Sequence, residues 1–323
     1  MKVLVTGAAG FVGRRLCRDL GGAGHVVRAL VHKSDSAGVN ATEIITGDIT
    51  DPAIAAAATK GVEAVVHLAG RAHVMKDRAA NPLAEYRRVN VDGTRAVLDA
   101  ASLSGVLYFV LASSVKAVGE MSDGAWNGAT IPHPLDPYGI SKLEAEALLR
   151  ERGGAVSTCI LRFPLVYGPG MRGNMLRLFD LIDHGWPIPV GTNNSRSILF
   201  VGNATAAITR VLEVASASGR LLQGGPFFLA DGPATSTASL VREIGDALGT
   251  QGHTLHLPTE LLRRVVSRHQ SASSGSTRLG AIINRLGGSL EVDEQEFGNA
   301  FAYTPPFTRE SGLAETARWF RSQ

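Results

Sequence analysis

Short β-branched apolar runs alternate with stretches in which apolar residues recur every three or four positions, and this alternation fills the first half of the chain. The runs read as strands and the periodic stretches as helices. Lys2-Val3-Leu4-Val5-Thr6 is the first strand, and Phe11, Val12, Leu16 and Leu20 mark the helix after it. His25–Val31, Glu43–Ile49, Val62–Leu68, Val106–Ala112 and Val156–Arg162 read as further strands. Between them lie a short helix over Ala53–Lys60 opened by Asp51-Pro52, a long helix over about Pro82–Ser104, and one from Asp136-Pro137 to Arg152. Strands alternating with helices predict an α/β fold, a doubly wound parallel sheet covered on both faces.

Beyond residue 163 the pattern loosens. Phe163–Gly173 is rich in Gly and Pro, Asn174–Gly185 is helical, Ile198–Val201 is a strand and Thr205–Ala215 a helix. Pro226–Ala230 is expected to return to the main sheet, with shorter helices over Ser236–Leu248, Thr259–Arg268 and Arg309–Arg321. Ser271–Ser276 is the expected disordered segment. The loop Val115–Leu135 is long, rich in turn residues, and expected to be functional. These signals divide the chain into a nucleotide-binding domain, residues 1–170 with about 196–231, and a smaller substrate domain, about 171–195 with 232–323. No internal repeat is seen.

The turn Gly7-Ala8-Ala9-Gly10-Phe11-Val12-Gly13 stands directly between the first strand and the first helix. Glycine at such a turn permits φ > 0, lets a pyrophosphate reach the backbone, and lets helix and strand pack closely. The helix N-terminus then offers free N–H groups and a partial positive charge to phosphates. The glycines are spaced three and three, not two and three as in the commonest dinucleotide fingerprint.

Composition narrows the class without changing this picture. With 45% apolar and 19% charged residues in 323, the chain is an ordinary globular one with ample core. A net charge of +3 without like-charge runs gives no reason to expect nucleic-acid binding. No apolar run is long enough to span a membrane. The chain opens on a strand, not on a signal peptide. Cys17 and Cys159 lie in a helix and an apolar run and read as core thiols, so a reducing, cytoplasmic compartment is expected.

The second chemical signal is Tyr138-Gly139-Ile140-Ser141-Lys142 on a helix. Residues four apart share a helix face. A lysine ammonium beside a phenol favours the phenolate, lowering a pKa that starts near 10, and makes tyrosine a usable acid or base. His67 and His73 lack a third ligand at metal spacing, and His67 sits in an apolar strand, so a packed histidine is expected and no metal.

These motifs resemble the extended short-chain dehydrogenase/reductases, nearest the nucleotide-sugar epimerases, dehydratases and reductases. The resemblance rests on Thr6 to Gly13, Gly47-Asp48-Ile49, His67-Leu68-Ala69-Gly70, Asn90-Val91-Asp92-Gly93-Thr94, Ser113-Ser114, Tyr138 to Lys142 and Arg162 to Gly170. It is strong to about residue 203 and weaker after. Arg71 to Met75 and Ser114-Val115-Lys116 look like the subgroup that makes bacterial surface-polysaccharide sugars. The resemblance implies a Rossmann-type domain and hydride transfer at a sugar carbon of a nucleotide sugar, C4 of a UDP-sugar, by a 4-epimerase or 4-keto reductase. It implies proton exchange by Tyr138, tuning and ribose contact by Lys142, and a hydrogen bond from Ser114 to the reacting oxygen. The cofactor would meet Gly7, Gly10, Phe11, Val12, Gly13, His32, Lys33, Asp48, Ile49, Leu68, Ala69, Gly70, Arg71, Asn90, Tyr138, Lys142 and Pro164. Substrate would meet Ser114, Lys116, Arg172, Asn174 and Arg196, the last suited to a diphosphate by its planar fork of donors. In the family, pairing of the helices over 82–104 and 137–152 often makes a homodimer.

Departures from the family pattern carry information. NAD-dependent folds usually end the second strand with an acidic residue for the ribose 2′-hydroxyl. Here stand Val31, His32 and Lys33, with Arg28 nearby, which favours NADP(H) over NAD(H). Val115 and Lys116 occupy the places of a dehydratase's Asp-Glu pair, Val118 replaces a family Tyr, and Asn203 a family Asp. A non-catalytic NADP sensor and a small-carbonyl reductase are the alternatives.

Overall fold

The structure is a computed structural model, and the described residues are those outside 33–37, 73–78, 153–155, 191–193, 220–224 and 257–287. The expected helix over 259–268 and the expected disorder at 271–276 lie outside the described residues.

Seven strands form one parallel sheet. They are β1 (Lys2–Thr6), β2 (Val26–Val31), β3 (Glu43–Thr46), β4 (Ala64–His67), β5 (Tyr108–Ser114), β7 (Ser157–Phe163) and β11 (Phe227–Phe228). Their order is β3-β2-β1-β4-β5-β7-β11. The chain leaves β1 towards β2 on one side and returns to β4 on the other, so the order reverses there and opens a crevice at the strand carboxyl ends. β1, β4 and the first half of β5 are buried on both faces, which is why they read as unbroken apolar runs. Edge strand β3 alternates and exposes Ile44 instead.

Helices cover both faces. On one lie α2 (Pro52–Thr59), α3 (Pro82–Arg87), α4 (Gly93–Leu103) and α5 (Pro137–Arg152); on the other, α1 (Phe11–Gly22) packs against α7 (Val201–Ser218). The long helix expected over 82–104 is present, but its middle, Arg88–Asp92, is a turn of π-helix joining α3 to α4. Such bulges concentrate at functional positions. Asp51 caps α2, accepting from Ala53 N at 2.8 Å.

A second core gathers α6 (Asn174–Asp183), β9 (Ile188–Val190), β10 (Ile198–Phe200), α8 (Thr237–Leu248) and α10 (Arg309–Arg321) around Phe179, Phe200 and Ile244. β10 pairs with β8 (Leu165–Tyr167), β12 (Thr254–His256) with β9, and β13 (Glu291–Val292) with β6 (Ala125–Trp126). The helix α9 (Gln295–Phe301) packs Phe297 and Phe301 against Phe227. Among the described residues no helix is long and apolar enough to cross a membrane.

Candidate active site

The glycine turn is built as its spacing requires. Gly7 has φ +67, and a Cβ there would lie 2.7 Å from Ala69 N, so β1 and the end of β4 approach as closely as glycine allows. A Cβ on Gly13 would run into Gly7 O, which seats α1 against its own turn. Gly10 caps α1 without a side-chain cap, and among the described residues no side-chain bond to the first N–H groups of the helix is seen. An uncapped helix start beside small residues is the form a pyrophosphate needs. Leu68 and Ala69 are half-buried and Gly70 exposed at the end of β4. These features fit a dinucleotide.

At the end of β2 the structure amends the expectations. Arg28 does not face the end of β2: its guanidinium donates to Glu43 Oε2 (2.6 Å), Ala58 O (2.9 Å) and Lys60 O (2.6 Å). Edge strand β3 holds it there, so it is unavailable to a 2′-phosphate. His32 is exposed and Lys33 lies outside the described residues. Arg14, which the sequence did not single out, donates Nε to Ala9 O (2.9 Å) and sets its Nη1 beside Gly38. Asp48 Oδ1 accepts from Thr50 N and Thr50 Oγ1, both 2.9 Å, and Oδ2 lies 3.5 Å from Arg88 Nη1. Bonds from Thr50 and the Arg88 charge hold its carboxyl below the usual range, against the pull of burial. Ile49 is buried beside it.

Asn90 in the π turn holds the segment after β4. Its Oδ1 accepts from Arg71 N (2.7 Å), and its Nδ2 donates to Arg71 O (3.1 Å) and Ser141 Oγ (2.8 Å). One buried amide therefore ties the segment after β4 to α5. Tyr86 packs 6.0 Å from Tyr138, ring to ring, and carries the Arg71 guanidinium over its ring at 5.3 Å. Tyr86 was not legible as a site residue, because only the fold brings α3 beside α5.

Ser114, Tyr138 and Lys142 converge. β5 ends at Ser114, and α5 starts at Pro137 under an Asp136 that accepts from Gly139 N (2.6 Å). A Cβ on Gly139 would strike Lys116 O, so glycine lets α5 sit against the turn after Ser114. Tyr138 is hydrogen-bonded to Ser114, and Lys142 Nζ donates to Ala112 O (2.6 Å). Burial pulls the Lys142 ammonium down to about 8, and Glu146 opposes that pull. The expectation that Lys142 lowers the phenol is not met in the chain by itself. Burial pushes Tyr138 up to about 12, aided by Asp136 and Tyr86 and resisted only by the Ser114 bond.

The remaining expected residues are held by their own neighbours. Lys116 Nζ forms an ion pair with Glu120 and lies 3.5 Å from Asp136 Oδ2. Asn174 is buried at the start of α6, Pro164 is buried after β7, and Arg172 is exposed. Arg196 is no surface arginine. Its backbone bridges Thr235 and Leu290, its Nη2 donates to Gly288 O (2.9 Å), and burial pulls its pKa down to about 10. His67 is fully buried between Thr6 and Thr94, as a packed histidine; His73 lies outside the described residues. Cys17 and Cys159 are free, buried thiols that burial pushes up to about 12.

Residues 3–222 match the model of the NAD dependent epimerase/dehydratase family. The chain belongs to that family. It is 32% identical over 334 residues to a UDP-glucose 4-epimerase of Vibrio cholerae, covering 98% of this chain and 95% of that protein. It is 28% identical over 335 residues to the N-acetyl-alpha-D-glucosaminyl-diphospho-ditrans,octacis-undecaprenol 4-epimerase of Escherichia coli O157:H7, with 98% and 94% covered. Among solved structures it superposes on MoeE5 in complex with UDP-glucuronic acid and NAD, with TM-score 0.76 and 26% identity over 100% of this chain and 99% of that one. This epimerase-family chain is thus an enzyme of the extended short-chain dehydrogenase/reductase group with a nicotinamide-binding fold.

Proposed function

We propose that this chain acts at C4 of a UDP-sugar through Ser114, Tyr138 and Lys142, in making sugars for surface polysaccharides. The observation that carries the reading is the convergence of those three side chains at the carboxyl ends of the sheet, beside an uncapped α1 and a glycine turn. Relatives named as 4-epimerases match nearly the whole chain and support C4 as the site of reaction. Gly7, Gly10, Gly13 and the start of α1 would hold the dinucleotide phosphates, and Lys142 and Asn90 would border its nicotinamide end. A bound nicotinamide would supply the hydride chemistry.

Tyr138 Oη moves the proton. Oxidation of the C4 hydroxyl requires Tyr138 to take its proton, and reduction of the 4-ketone requires Tyr138 to give one. Ser114 Oγ orients the reacting oxygen and stabilises the phenolate. With its pKa near 12, the phenol starts protonated, the form that the reducing direction uses. A half-buried Arg196 would pair with the diphosphate, and the α3–α4 and α5 helices would form a homodimer.

A 4-keto reductase is the second reading, favoured by one observation: β2 ends in Val31 and exposed His32, neither of them a carboxylate to repel a 2′-phosphate. In that reading NADP(H) is preferred. The test is to identify the dinucleotide retained on purification, measure affinities for NAD(H) and NADP(H), and assay UDP-glucose and UDP-N-acetylglucosamine for C4 inversion. Retained NAD with inversion supports the epimerase; exchangeable NADPH consumed with a 4-keto sugar supports the reductase. Tyr138→Phe should abolish turnover while leaving dinucleotide affinity intact, and undiminished turnover in that variant would overturn the mechanism.

A further inference from the structure

Beneath the three converging side chains lies a buried ion pair that the reaction as described does not use. Glu146 is fully buried and Arg162 is 1% exposed. Glu146 Oε1 accepts from Ser113 Oγ (2.6 Å) and Arg162 Nε (3.0 Å); Oε2 accepts from Arg162 Nη2 (2.7 Å) and Arg150 Nη2 (3.2 Å). The Arg162 guanidinium also lies over the Phe228 ring at 5.3 Å. One carboxylate therefore joins α5 to β5 through Ser113 and to β7 through Arg162.

The position of this carboxylate matters. Glu146 stands one helical turn after Lys142, and Ser113 stands between Ala112, which receives the Lys142 ammonium, and Ser114, which bonds Tyr138. The charged or titratable groups around Lys142 can be taken element by element. α5 brings Glu146, the Arg150 bound to it, and Tyr138; β4 brings His67, which burial keeps neutral; β7 brings Arg162, already bound to Glu146; the π turn brings the uncharged Asn90; and α3 brings Tyr86 beneath Arg71. Glu146 is the one anion in that set. A buried ammonium with a single carbonyl acceptor is costly unless a counter-charge stands near.

We propose that Glu146 is a positioning residue of the Ser114–Tyr138–Lys142 set: shared by Ser113 and Arg162, its carboxylate fixes α5 against β5 and supplies the counter-charge that keeps the Lys142 ammonium on Ala112 O. The proposal deepens the functional reading above by resting on Lys142 as a site residue. Its test does not depend on the substrate. The few lysines of the full chain are labelled with ¹³C at the ε-carbon and titrated by NMR, with the Lys142 signal assigned through Lys142→Gln. In Glu146→Gln the Lys142 midpoint should fall by about one pH unit, the effect of losing a near opposite charge. In Ser113→Ala, which keeps the charge, the midpoint should stay within the error of the wild type. Glu146→Gln strands a buried arginine, so the double variant Glu146→Gln/Arg162→Gln removes both charges at less cost to folding. The double variant removes a neighbouring cation along with the anion, so its midpoint should also fall, by less than in Glu146→Gln. In every variant whose midpoint falls, the alkaline limb of turnover should move with it. A purely structural role would lower thermal stability and leave the midpoint alone, and an unmoved midpoint in either folded Gln variant overturns the proposal. Turnover of no UDP-sugar by wild type would instead count against the functional reading and leave the NMR result standing.

Discussion

Thr6 Oγ1 and His67 Nδ1 stand 2.8 Å apart, and the direction of the hydrogen bond between them follows from their neighbours. Ala69 N donates to Thr6 Oγ1 (3.2 Å), so the threonine hydroxyl has its proton to give to Nδ1. On the far side of the ring, Thr94 Oγ1 donates to Asn90 O (2.6 Å) and so receives Nε2–H of His67 (3.1 Å). His67 is therefore the neutral Nε2–H tautomer. It carries a single chain of bonds from the end of β4, where the dinucleotide crevice begins, to the π turn that holds Arg71 and Ser141.

That assignment predicts an acid weakness. Burial, with the Lys142 charge behind it, lowers the His67 pKa to about 3 from an ordinary 6.5. The unfolded chain takes up a proton near pH 6.5 and the folded chain does not. Stability from this group is thus complete above pH 6.5 and is lost as pH falls from there towards 3. At about 1.4 kcal/mol per pH unit, the loss between pH 6.5 and pH 5 is about 2 kcal/mol. Urea midpoints of wild type and His67→Gln at the two pH values measure it. The wild type should lose that much more stability on acidification than the variant, and parallel curves would show that His67 is not neutral and buried.

The glycines of the turn can be separated from glycines that merely tolerate φ > 0. Gly7 (φ +67) and Gly24 (φ +82) share the left-handed backbone, but a Cβ on Gly24 meets nothing within 4 Å, whereas one on Gly7 meets Ala69 and Leu68 backbone. Gly24→Ala should cost about 1–2 kcal/mol, the left-handed penalty alone, and leave dinucleotide affinity unchanged. Gly7→Ala should cost more than that and weaken dinucleotide binding at least about tenfold, since β1 and the end of β4 must separate. Denaturation and a fluorescence titration of each variant test the contrast, and equal effects would mean that Gly7 serves only its own turn.

Asn90 sits inside a helix, where asparagine is a poor helix former, and the π turn shows what offsets that. Its amide makes three hydrogen bonds, two to the Arg71 backbone and one to Ser141. Asn90→Ala should destabilise the chain by about 2–3 kcal/mol, at about 1 kcal/mol for each lost bond. The same variant frees the segment after β4 from α5, so its dinucleotide affinity should fall further than its stability explains. A calorimetric melt with and without NAD(H) measures both, and full retention of the ligand-induced shift would confine Asn90 to a structural part.

What the sequence made legible was what lies close together along it. The strand–turn–helix at Gly7 and the Tyr138–Lys142 spacing are local, and both are built in the structure as their residue types demand. The parallel sheet covered on both faces follows from the alternation of elements, and even the return of Phe227–Phe228 to the sheet could be expected. Two- and three-residue strands such as β6, β9, β12 and β13 are too short to show alternation, and they escaped notice. So did partnerships between distant segments, Glu146 with Arg162 and Tyr86 with Tyr138, and the local bond of Arg14 to Ala9. Arg28 shows the converse error, since a cation near the end of a strand in sequence can be turned by its neighbour, here Glu43, to another part of the sheet.

Arg196 offers the sharpest separation between a nucleotide-sugar enzyme and a reductase of small carbonyls. Its guanidinium is largely buried, donates to Gly288 O, and leaves Nε without a hydrogen-bond partner among the described residues. A pKa near 10 still leaves it charged at neutral pH, and a buried cation with an unused donor is stabilised by an anion. A diphosphate fits that need through the planar fork, worth about 1.5–3 kcal/mol for a charge-assisted pair. Arg196→Ala should therefore raise KM for a UDP-sugar roughly 10- to 100-fold with little change in dinucleotide affinity, and Arg196→Lys should recover part of the loss. Steady-state kinetics with UDP-glucose, paired with an NAD(H) titration, separates the two effects. An unchanged KM in Arg196→Ala would remove the diphosphate from this position and turn the reading towards a small-carbonyl substrate.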